Sequence, residues 1–522
     1  MKNLLSTYTT NEGTVNFEET KKLINDVDIV AEKLKNEILN TNTEVTFTGT
    51  AYYVSENGDD SNDGLTPKTP WKTLEKVNSF PFASGDAVFF QRGNLFRGYL
   101  SCRGGITYSA YGEGAKPIIT TSPENGAGKE KWSLLESTDN IWVYYKKMSD
   151  IGLIVFNDGE CHSVKKIPSY INGKFVQRNQ PETVFDVRKH MHCDLAHFSE
   201  TDKELDANGY PSLSYDAKVS LYLRCDKGNP GEIFNSIEFS TRTHGIRGNG
   251  CSNITVDNLA ILYAGCHGLG TGININHLHV QNCVFGWIGG CVQSYNNNPE
   301  SERYGWVTVY GNAVEIWGGC DDFVCDHNYI YQVYDAGVTH QFSSTGNDCK
   351  QKNIRYTNSL YEFCSYTIEY FLGYPSDKLC LCFMQNVEIS GNIMRYSGFG
   401  FGEQRPHFDH PAAHIKGWTG LAPLDEGFII KDNIFDRARN MLIHIGKGPD
   451  KWLPTFKNNI YIQYLNHEVS SFGKYHNELV PYDENIREYM NNENIDLEGG
   501  VYFAKPDWLY DLPDFLPIIE RQ

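Results

Sequence analysis

Three glutamates in the second half of the chain carry the clearest chemistry that the sequence offers. Glu315, Glu369 and Glu403 each lie in a short string that the local pattern predicts to be a strand. Two carboxyl groups about 5 Å apart suit a retaining glycosidase, and groups about 6.5 to 9.5 Å apart suit an inverting one. Because like charges side by side on a sheet are destabilising, such a column favours a catalytic role over a structural one.

A recurring asparagine predicts the repeat that would position these glutamates. It lies in β-type runs at Asn258, Asn282, Asn328, Asn358, Asn392 and Asn433, and Asn459 continues the series. The separations of the first six are 24, 46, 30, 34 and 41 residues, which suit coils with loop insertions in a stacked repeat. Asparagine tolerates the left-handed conformation of a turn, and its amide can hydrogen-bond the same residue of the next coil.

Counting eleven residues onward from these asparagines predicts one outward-facing column. The column reads Glu315, Thr339, Glu369, Glu403 and His444, with Glu315 placed 24 residues before Thr339. Neighbouring coils of a parallel stack lie about 4.8 Å apart. Glu369 and Glu403 are therefore predicted at retaining distance, whereas Glu315 and Glu369, two coils apart, are nearer the inverting range. The sequence leaves both choices open.

Other residues are predicted to complete the site. Asp335 is a fourth candidate catalytic carboxylate, although it precedes Ala-Gly and a turn would also explain it. Candidate substrate-binding residues are His340, Arg405, His410, His414 and His444, with Trp317 and Tyr370 as platforms on which a sugar ring can stack. No resident metal is predicted, since the spacing of His407, His410 and His414 matches no metal motif. Arg242, His244 and Arg247 either bind a substrate anion or cap a coil.

The N-terminal part of the chain has a recognisable order of elements. An amphipathic helix pattern covers residues 16–40, followed by the strand-like Ala51-Tyr52-Tyr53-Val54-Ser55, an Asp/Asn/Gly-rich loop, the helix pattern Pro70 to Val77, and Gly85-Asp86-Ala87-Val88-Phe89-Phe90. Residues 50 to 120 resemble the cap and first coil of pectate-lyase-like right-handed parallel β-helix proteins, many of which are carbohydrate-active enzymes. The resemblance implies that the first helix plugs the open end of a solenoid.

The predicted fold is therefore an all-β, right-handed parallel β-helix with an N-terminal amphipathic helix and cap. Residues 1–50 are predicted to be a helical extension and 51–522 the β-helix domain, with a β-rich insertion around 125–240. The apolar face of the first helix has two candidate partners, the solenoid or a second subunit, and the second would make a homo-oligomer. A loop calcium ion is the one cofactor considered, held by Asp59, Asp60, Asn62 and Asp63, and an Asx turn explains these residues as well.

Composition narrows the functional class. The 522 residues include 46 Lys and Arg against 65 Asp and Glu, a net charge of −19, which disfavours nucleic acid as a partner. No run approaches 18 apolar residues and the first 40 residues lack the pattern of a secretory signal, so no membrane association and a cytoplasmic location are predicted. The 14 scattered cysteines are interpreted as buried thiols.

These observations favour a glycoside hydrolase that acts on a neutral oligosaccharide or polysaccharide. A polysaccharide lyase of the same fold, cleaving a uronate-containing glycan, is the first alternative. A non-catalytic glycan-binding solenoid is the second.

Overall fold

The computed structural model describes residues 1–9, 13–178, 180–343, 347–373, 381–405, 411–418, 427–446, 453–475 and 478–511. Most of the regular structure is β, and the strands stack in parallel, in chain order. Ten strands form the first sheet: Ala51–Val54, Ala87–Gln91, Thr107–Tyr111, Ile254–Asp257, Ile275–Gln281, Cys320–Asp326, Cys349–Thr357, Cys382–Ser390, Phe428–Lys431 and Thr455–Lys457. Each pass of the chain that adds one strand to this sheet is called a coil below.

The remaining strands of each coil form two further bands. The helix-side band contains Leu95–Arg97, Ile118–Thr120, Ala260–Leu262, Val284–Ile288, Ile393–Arg395, Ile434–Asp436, Ile460–Tyr464 and Gly500–Ala504. The groove-side band contains Leu100–Ser101, Ile246–Arg247, Leu269–Gly272, Val314–Trp317, Ala413–Trp418, Met441–Ile445 and Ser471–Tyr475. The long strands Tyr329–Ser343 and Leu360–Gly373 run through both bands. The prediction of a mostly β chain with parallel sheets is confirmed, and the right-handed coiling stays a prediction.

The recurring asparagine proves to be two adjacent columns with different physical roles. Residues of the first column are left-handed, with φ of 57° at Asn258, 53° at Asn282 and 49° at Asn358. The same column carries His327, Gly391, Asp432 and Asn458 in the other coils. Residues of the second column follow directly in the chain and are fully buried, as at Asn328, Asn392, Asn433 and Asn459. The single asparagine series read from the sequence therefore contains residues of two kinds, left-handed turn residues and buried core residues.

The second column forms a buried hydrogen-bond ladder. The backbone N–H and the side-chain amide of Asn392 both donate to Oδ1 of Asn433, each at 3.0 Å. Asn433 donates in the same two ways to Asn459, which donates in turn to Asp496. Ser359 takes the place of asparagine in one coil and donates its backbone N–H to Asn392. Each coil is thus held in register by the side chain of the next.

The segment between Thr120 and Ile246 leaves the stack and returns to it one coil later. Ile246 pairs directly with Leu100, and Ala260 pairs with Ile118, so the coils before and after the segment are neighbours. The segment builds mainly antiparallel sheets of its own, with the strands Trp132–Leu134, Ile141–Tyr144, Ile151–Phe156, Cys161–His162, Val164–Lys165, Ser169–Ile171, Lys174–Gln177, Gln180–Val184, Ala196–Ser199, Leu221–Arg224 and Ile237–Thr241. Leu153 and Val155 of the segment share a buried cluster with Trp287 and Tyr334 of the stack. The predicted division into domains stays a prediction.

The first long helix lies along the side of the stack. Phe17–Asn40 buries Leu23, Ile24, Val27, Ala31 and Ile38 against the helix-side band. That band contributes one residue from each of seven coils: Ala260, Val284, Tyr329, Leu360, Ile393, Ile434 and Ile460. The implied plug at the open end is therefore wrong for this helix. The other helices are Lys2–Tyr8, Leu74–Ser79, Val187–His190, Pro230–Ile233 and Ile486–Asn492.

The two ends of the stack are covered by other elements. Trp71, Leu74 and Val77 of the predicted short helix region join the hydrophobic core at the first coil. Ile486 and Met490 of the helix Ile486–Asn492 do the same at the last coil. Within the described residues, no helix has the length and apolar character needed to cross a membrane. The cellular location stays a prediction.

We expect Asn433→Ala to destabilise the fold by about 2 to 4 kcal/mol, because it leaves buried partners of the ladder without a hydrogen bond. The partners are the backbone N–H of Asn392 and the carbonyl of Ile389. Equilibrium unfolding in urea measures the change. Asn491→Ala, at an exposed helical position, is the matched control and should change stability by less than about 0.5 kcal/mol. Equal effects of the two substitutions would contradict a stabilising ladder.

Candidate functional site

A cavity of about 770 Å³ opens on the groove-side band beside the inserted segment. Glu315 and Asp335 both line it, and Trp317 and Tyr310 contribute aromatic rings. Trp317 is 41% exposed, as a platform for a ligand must be. A second cavity of about 380 Å³ shares Val309 and Asp335 with the first and extends to Arg405 and Lys416. The structure therefore brings together four of the predicted site residues, Glu315, Asp335, Trp317 and Arg405.

Glu315 is surrounded by neutral hydrogen-bond donors. Its Oε2 accepts from Nδ2 of Asn312 and, at 3.1 Å, from Nε2 of Gln341. Nε2 of His267 lies 3.4 Å from Oε1. Asn312 is oriented for this task because its own Oδ1 accepts the backbone N–H of Ala336 at 2.9 Å. The carboxyl group is thus held in one orientation at the cavity wall.

The imidazoles of His244 and His267 are stacked, with centroids 5.1 Å apart and planes 9° from parallel. Nδ1 of His244 accepts the backbone N–H of His267 at 3.2 Å, and Nδ1 of His267 accepts the backbone N–H of Asn312 at 3.1 Å. Since each Nδ1 is an acceptor, the proton of each neutral ring resides on Nε2. His267 therefore presents an N–H to Glu315. Burial, with smaller contributions from His267 and Arg247, lowers the pKa of His244 well below its usual value.

The absence of a side chain at Gly270 leaves space for the imidazoles of His244 and His267. Gly270 pairs with Glu315 in the register, and a Cβ at Gly270 would lie 3.1 Å from both imidazoles. A distance this short is tighter than ordinary van der Waals contact. Glycine at this position is therefore part of the construction of the site.

Asp335 lies at a β-bulge, where the register with the next coil shifts between Val333 and Ala336. Its carboxylate pairs with Arg405, with Oδ1 2.5 Å from Nη2. The guanidinium lies over the rings of Tyr334 and Tyr366, 5.2 Å from each centroid. Asp335, unlike Glu315, thus faces a permanent cation.

Glu369 is paired with Lys416 in the next coil, with Oε1 2.9 Å from Nζ, and both side chains are buried. Burial raises the pKa of Glu369 by more than Lys416 lowers it. Burial is also the largest effect on Lys416 and opposes its charge, but Glu369, Tyr366 and Asp335 together outweigh it and raise the pKa of the lysine. Lys416 lines the smaller cavity, whereas Glu369 is absent from the described lining of both cavities.

The prediction that Glu403 belongs to the column is wrong. The register is Glu315, Thr339, Glu369, Lys416 and His444, so Lys416 holds the position assigned to Glu403. After Arg395 the chain leaves the sheet, and Glu403 lies in the short 3-10 helix Phe401–Gln404, in an ion pair with Arg439. A constant count of eleven residues fails wherever a loop replaces part of a coil.

Three predicted substrate-binding residues lie inside the stack instead. His340, Tyr370 and His414 are fully buried. Nδ1 of His340 contacts the Tyr356 hydroxyl at 2.8 Å, and Nδ1 of His414 contacts the Ser397 hydroxyl at 2.9 Å. These positions are wrong for contact with a substrate. His444 keeps its place in the column, and His410 lies outside the described residues.

The loop considered for calcium uses its carboxylates for local hydrogen bonds. Asp59 accepts from Ser61, Asp60 accepts from Lys72 and Thr73, and Asp63 accepts from Leu65 and Thr69. Bonds to a backbone N–H two residues ahead, as at Asp59 and Asp63, define an Asx turn. The calcium ion stays a prediction.

The sequence did not indicate His267, Asn312 or Gln341, and it placed Lys416 only at the end of a charged loop that begins at Arg405. Lys416 was detectable in principle, because its neighbours Ile415 and Gly417 continue the strand pattern after the loop. His244 and Arg247 had been noted without a decided role, and both line the larger cavity. His267 and Asn312 had no signal, since they precede their strands by two residues and depend on the register.

Comparison with known proteins gives consistent but limited similarity. No family model matches the chain. A stretch of 100 residues is 38% identical to lacto-N-biosidase of Bifidobacterium longum subsp. longum, covering 17% of this chain and 6% of that protein. Among solved structures, XylC in complex with xylose has a TM-score of 0.41 at 12% identity and covers 87% of this chain and 83% of its own.

Two further solved structures are similar at the same level. The GH136 lacto-N-biosidase from Eubacterium ramulus has a TM-score of 0.33 at 15% identity, covering 93% of this chain and 69% of its own. Polygalacturonase from Erwinia carotovora ssp. carotovora has a TM-score of 0.35 at 11% identity, covering 83% and 93%. These values leave the function of this chain to be argued from its own site.

We expect Lys416→Met to destabilise the protein by about 3 to 5 kcal/mol, because it leaves the buried Glu369 without its cation. Urea unfolding at pH 7.5 measures this loss. Lys457→Met is the control, because the pair of Lys457 and Glu498 is exposed and should contribute less than about 1 kcal/mol. The double variant Glu369→Gln/Lys416→Met should recover part of the stability. An equal, small effect of both single variants would show that the Glu369 pair is not structural.

Stability should fall as the pH drops below 6.5, because burial lowers the pKa of His197, His340 and His414 to about 3. Histidine in the unfolded chain has a pKa of about 6.5, so between these values the unfolded state binds more protons. The three histidines together should remove about 4 kcal/mol of unfolding free energy between pH 7.5 and 5.5. In His340→Gln this part of the pH dependence should shrink by about a third. A stability independent of pH over this interval would contradict the burial of neutral imidazoles.

Proposed function

We propose that this protein is a glycoside hydrolase with a right-handed parallel β-helix fold, acting on a neutral oligosaccharide. The observation that carries the proposal is the pair of carboxyl groups, Glu315 and Asp335, on the wall of one cavity with the exposed ring of Trp317. Two carboxyl groups flanking a glycosidic bond are the common machinery of glycosidases. Aromatic rings offer the flat apolar faces on which sugars stack. The similarity to lacto-N-biosidase is in accord with this class.

The partners of the two carboxyl groups differ, and we assign their roles from that difference. Asp335 pairs with the permanent cation Arg405, so it is proposed to act in its ionised form, as nucleophile or as the base that activates water. Glu315 faces two amides and the Nε2–H of His267, all neutral donors. It is proposed as the acid that protonates the leaving oxygen, and His267 as the residue that positions it.

A neutral substrate fits the charges of the cavity. Arg405 and Lys416 are already paired with Asp335 and Glu369. A negatively charged group on the substrate would therefore have to compete with a carboxylate of the protein for either cation. Neutral hydroxyl groups can instead bond to Gln341, Asn312 and the carboxyl groups themselves.

A polysaccharide lyase is the second candidate, and Arg247 favours it. This residue lines the cavity, and within the described residues it forms no ion pair with a carboxylate; its guanidinium lies 3.5 Å from the ring centroid of Tyr99. The base would have to come from another residue of the cavity, because Nδ1 of His244 already accepts a backbone N–H and its ring proton resides on Nε2. An arginine for a uronate carboxylate and a neutral base for proton abstraction are what β-elimination requires. An unsaturated product absorbing in the ultraviolet would identify this reaction.

The roles proposed for Glu315 and Asp335 can be distinguished by comparing substrates whose leaving groups differ in their need for a proton. With alkyl glycosides of neutral sugars as probes, whose leaving oxygen needs a proton, Glu315→Gln should lower kcat about 100-fold to 10,000-fold. On the matching 2,4-dinitrophenyl glycoside, whose leaving group needs no proton, the loss should be less than about tenfold. Asp335→Asn should abolish turnover of both substrates.

Glu403→Gln is the matched control and should keep wild-type turnover, since Glu403 lies outside the column and pairs with Arg439. Far-ultraviolet circular dichroism verifies the fold of each variant. Full activity of Glu315→Gln and Asp335→Asn on both probes would refute the assignment. Binding of glycans by the wild type without turnover of any probe would favour a non-catalytic solenoid.

A further inference from the structure

A second left-handed column runs across the first sheet, near the beginning of its strands. Its members all have positive φ: Gly105, Asn253, His277, Asp322, Asn353, Asn386 and Gly427. Glycine and asparagine are the residues that adopt this conformation at least cost. Two adjacent coils depart from this composition and carry His277 and Asp322 instead. These two residues bring an imidazole and a carboxylate to paired positions of neighbouring coils.

A second histidine completes a cluster at this departure. His279 lies two residues along the same strand, Ile275–Gln281, and Asp322 lies on the neighbouring strand, Cys320–Asp326. Nδ1 of His277 is 2.7 Å and Nε2 of His279 is 3.0 Å from Oδ2 of Asp322. The three ligand atoms all lie within 4.8 Å of one another. The imidazole centroids are 4.0 Å apart.

We propose that His277, His279 and Asp322 form a binding site for a divalent transition metal ion of the zinc class. Two imidazoles and one carboxylate are a ligand set typical of zinc, with bonds of about 2.0 to 2.2 Å. A tetrahedral ion at that bond length separates its ligand atoms by about 3.3 to 3.5 Å. The two nitrogen–oxygen separations, 2.7 and 3.0 Å, need to open by about 0.3 to 0.8 Å to reach this value. Calcium and magnesium are disfavoured because they prefer oxygen ligands.

The surroundings support the ligand geometry and leave room for the ion. Nη2 of Arg355 lies 3.0 Å from Oδ1 of Asp322, which fixes the carboxylate and leaves Oδ2 to face the imidazoles. The adjacent Asp321 is paired with Lys352 at 2.8 Å and does not compete for the ion. The side chains of His277 and Asp322 are 42% and 33% exposed, so an ion reaches them from solvent and water can complete its coordination.

Zinc titration of the full chain tests the proposal. After treatment with a chelator and dialysis, isothermal titration with zinc chloride at pH 7.5 should show one ion per chain bound at this cluster. His277→Asn and Asp322→Asn should each weaken binding at least tenfold. Both substitutions introduce the residue that the column carries at Asn253, Asn353 and Asn386, so the backbone conformation is retained. Zinc should also raise the Tm of the wild type and leave that of His277→Asn unchanged.

His467→Asn is the matched control, because it removes a histidine that belongs to no such cluster within the described residues. It should leave zinc binding unaltered. No heat of binding in the wild type would overturn the proposal. Binding of equal affinity in the wild type, His277→Asn and Asp322→Asn would overturn it as well, since the ion would then occupy other ligands. Neither result bears on the glycosidase assignment, because the two sites share no residue.

Discussion

The structure depends on one interaction that repeats from coil to coil: a buried side chain accepts the backbone N–H of its neighbour in the stack. Asn392, Asn433 and Asn459 do this at a corner between the first sheet and the helix-side band. At such a corner the chain turns, and its backbone groups would otherwise be buried without partners. An asparagine amide supplies both a donor and an acceptor, so the side chain of Asn433 satisfies an N–H and a carbonyl of the preceding coil.

The same interaction, a side chain accepting a backbone N–H of a neighbouring coil, positions the residues of the proposed active site. His244 accepts the backbone N–H of His267, His267 accepts that of Asn312, and Asn312 accepts that of Ala336. These residues are the corner ladder of the groove-side band, with imidazoles in place of two amides. A ladder position satisfies the backbone through Nδ1 alone, so Nε2 of a histidine remains for the cavity. The groups around Glu315 are therefore fixed by the fold itself and need no dedicated scaffold.

Periodicity in the sequence was enough to predict the stacked strands, and it placed Glu315 and Glu369 in one column correctly. The agreement at Glu369 has an instructive cause. The count began from Asn358, one residue ahead of the ladder position Ser359, and the interval to Glu369 lacks the extra residue that the bulge at Asp335 adds to the preceding coil. The two offsets cancelled. The count to Glu403 failed because the chain between Arg395 and Ala413 leaves the sheet. The column position beside Glu369 is therefore held by Lys416.

The rest of the site could not be predicted because it depends on where the chain departs from its repeat. Tyr215 reaches the cavity from the inserted segment, and Val309 reaches it from the strand Val307–Val309, which pairs antiparallel with Val292–Tyr295 outside the repeat. Burial was equally hidden for His340 and His414, since an inward and an outward residue of a strand differ only by register. A polar residue in a β-type run is therefore ambiguous until the neighbouring coil is known.

The position of the first helix ties the beginning of the chain to its end. Phe17 contacts Trp508, the hydroxyl of Tyr502 donates to the carbonyl of Tyr8 across 494 residues, and the carbonyl of Thr41 accepts from Arg92 near the first coils. A ribosome adding about 5 to 20 residues per second needs about 25 to 100 s to deliver the last coil after the helix. Throughout that time the apolar stripe of the helix lacks its complete docking surface. The helix can therefore dock completely only after the last coil of the stack has been made.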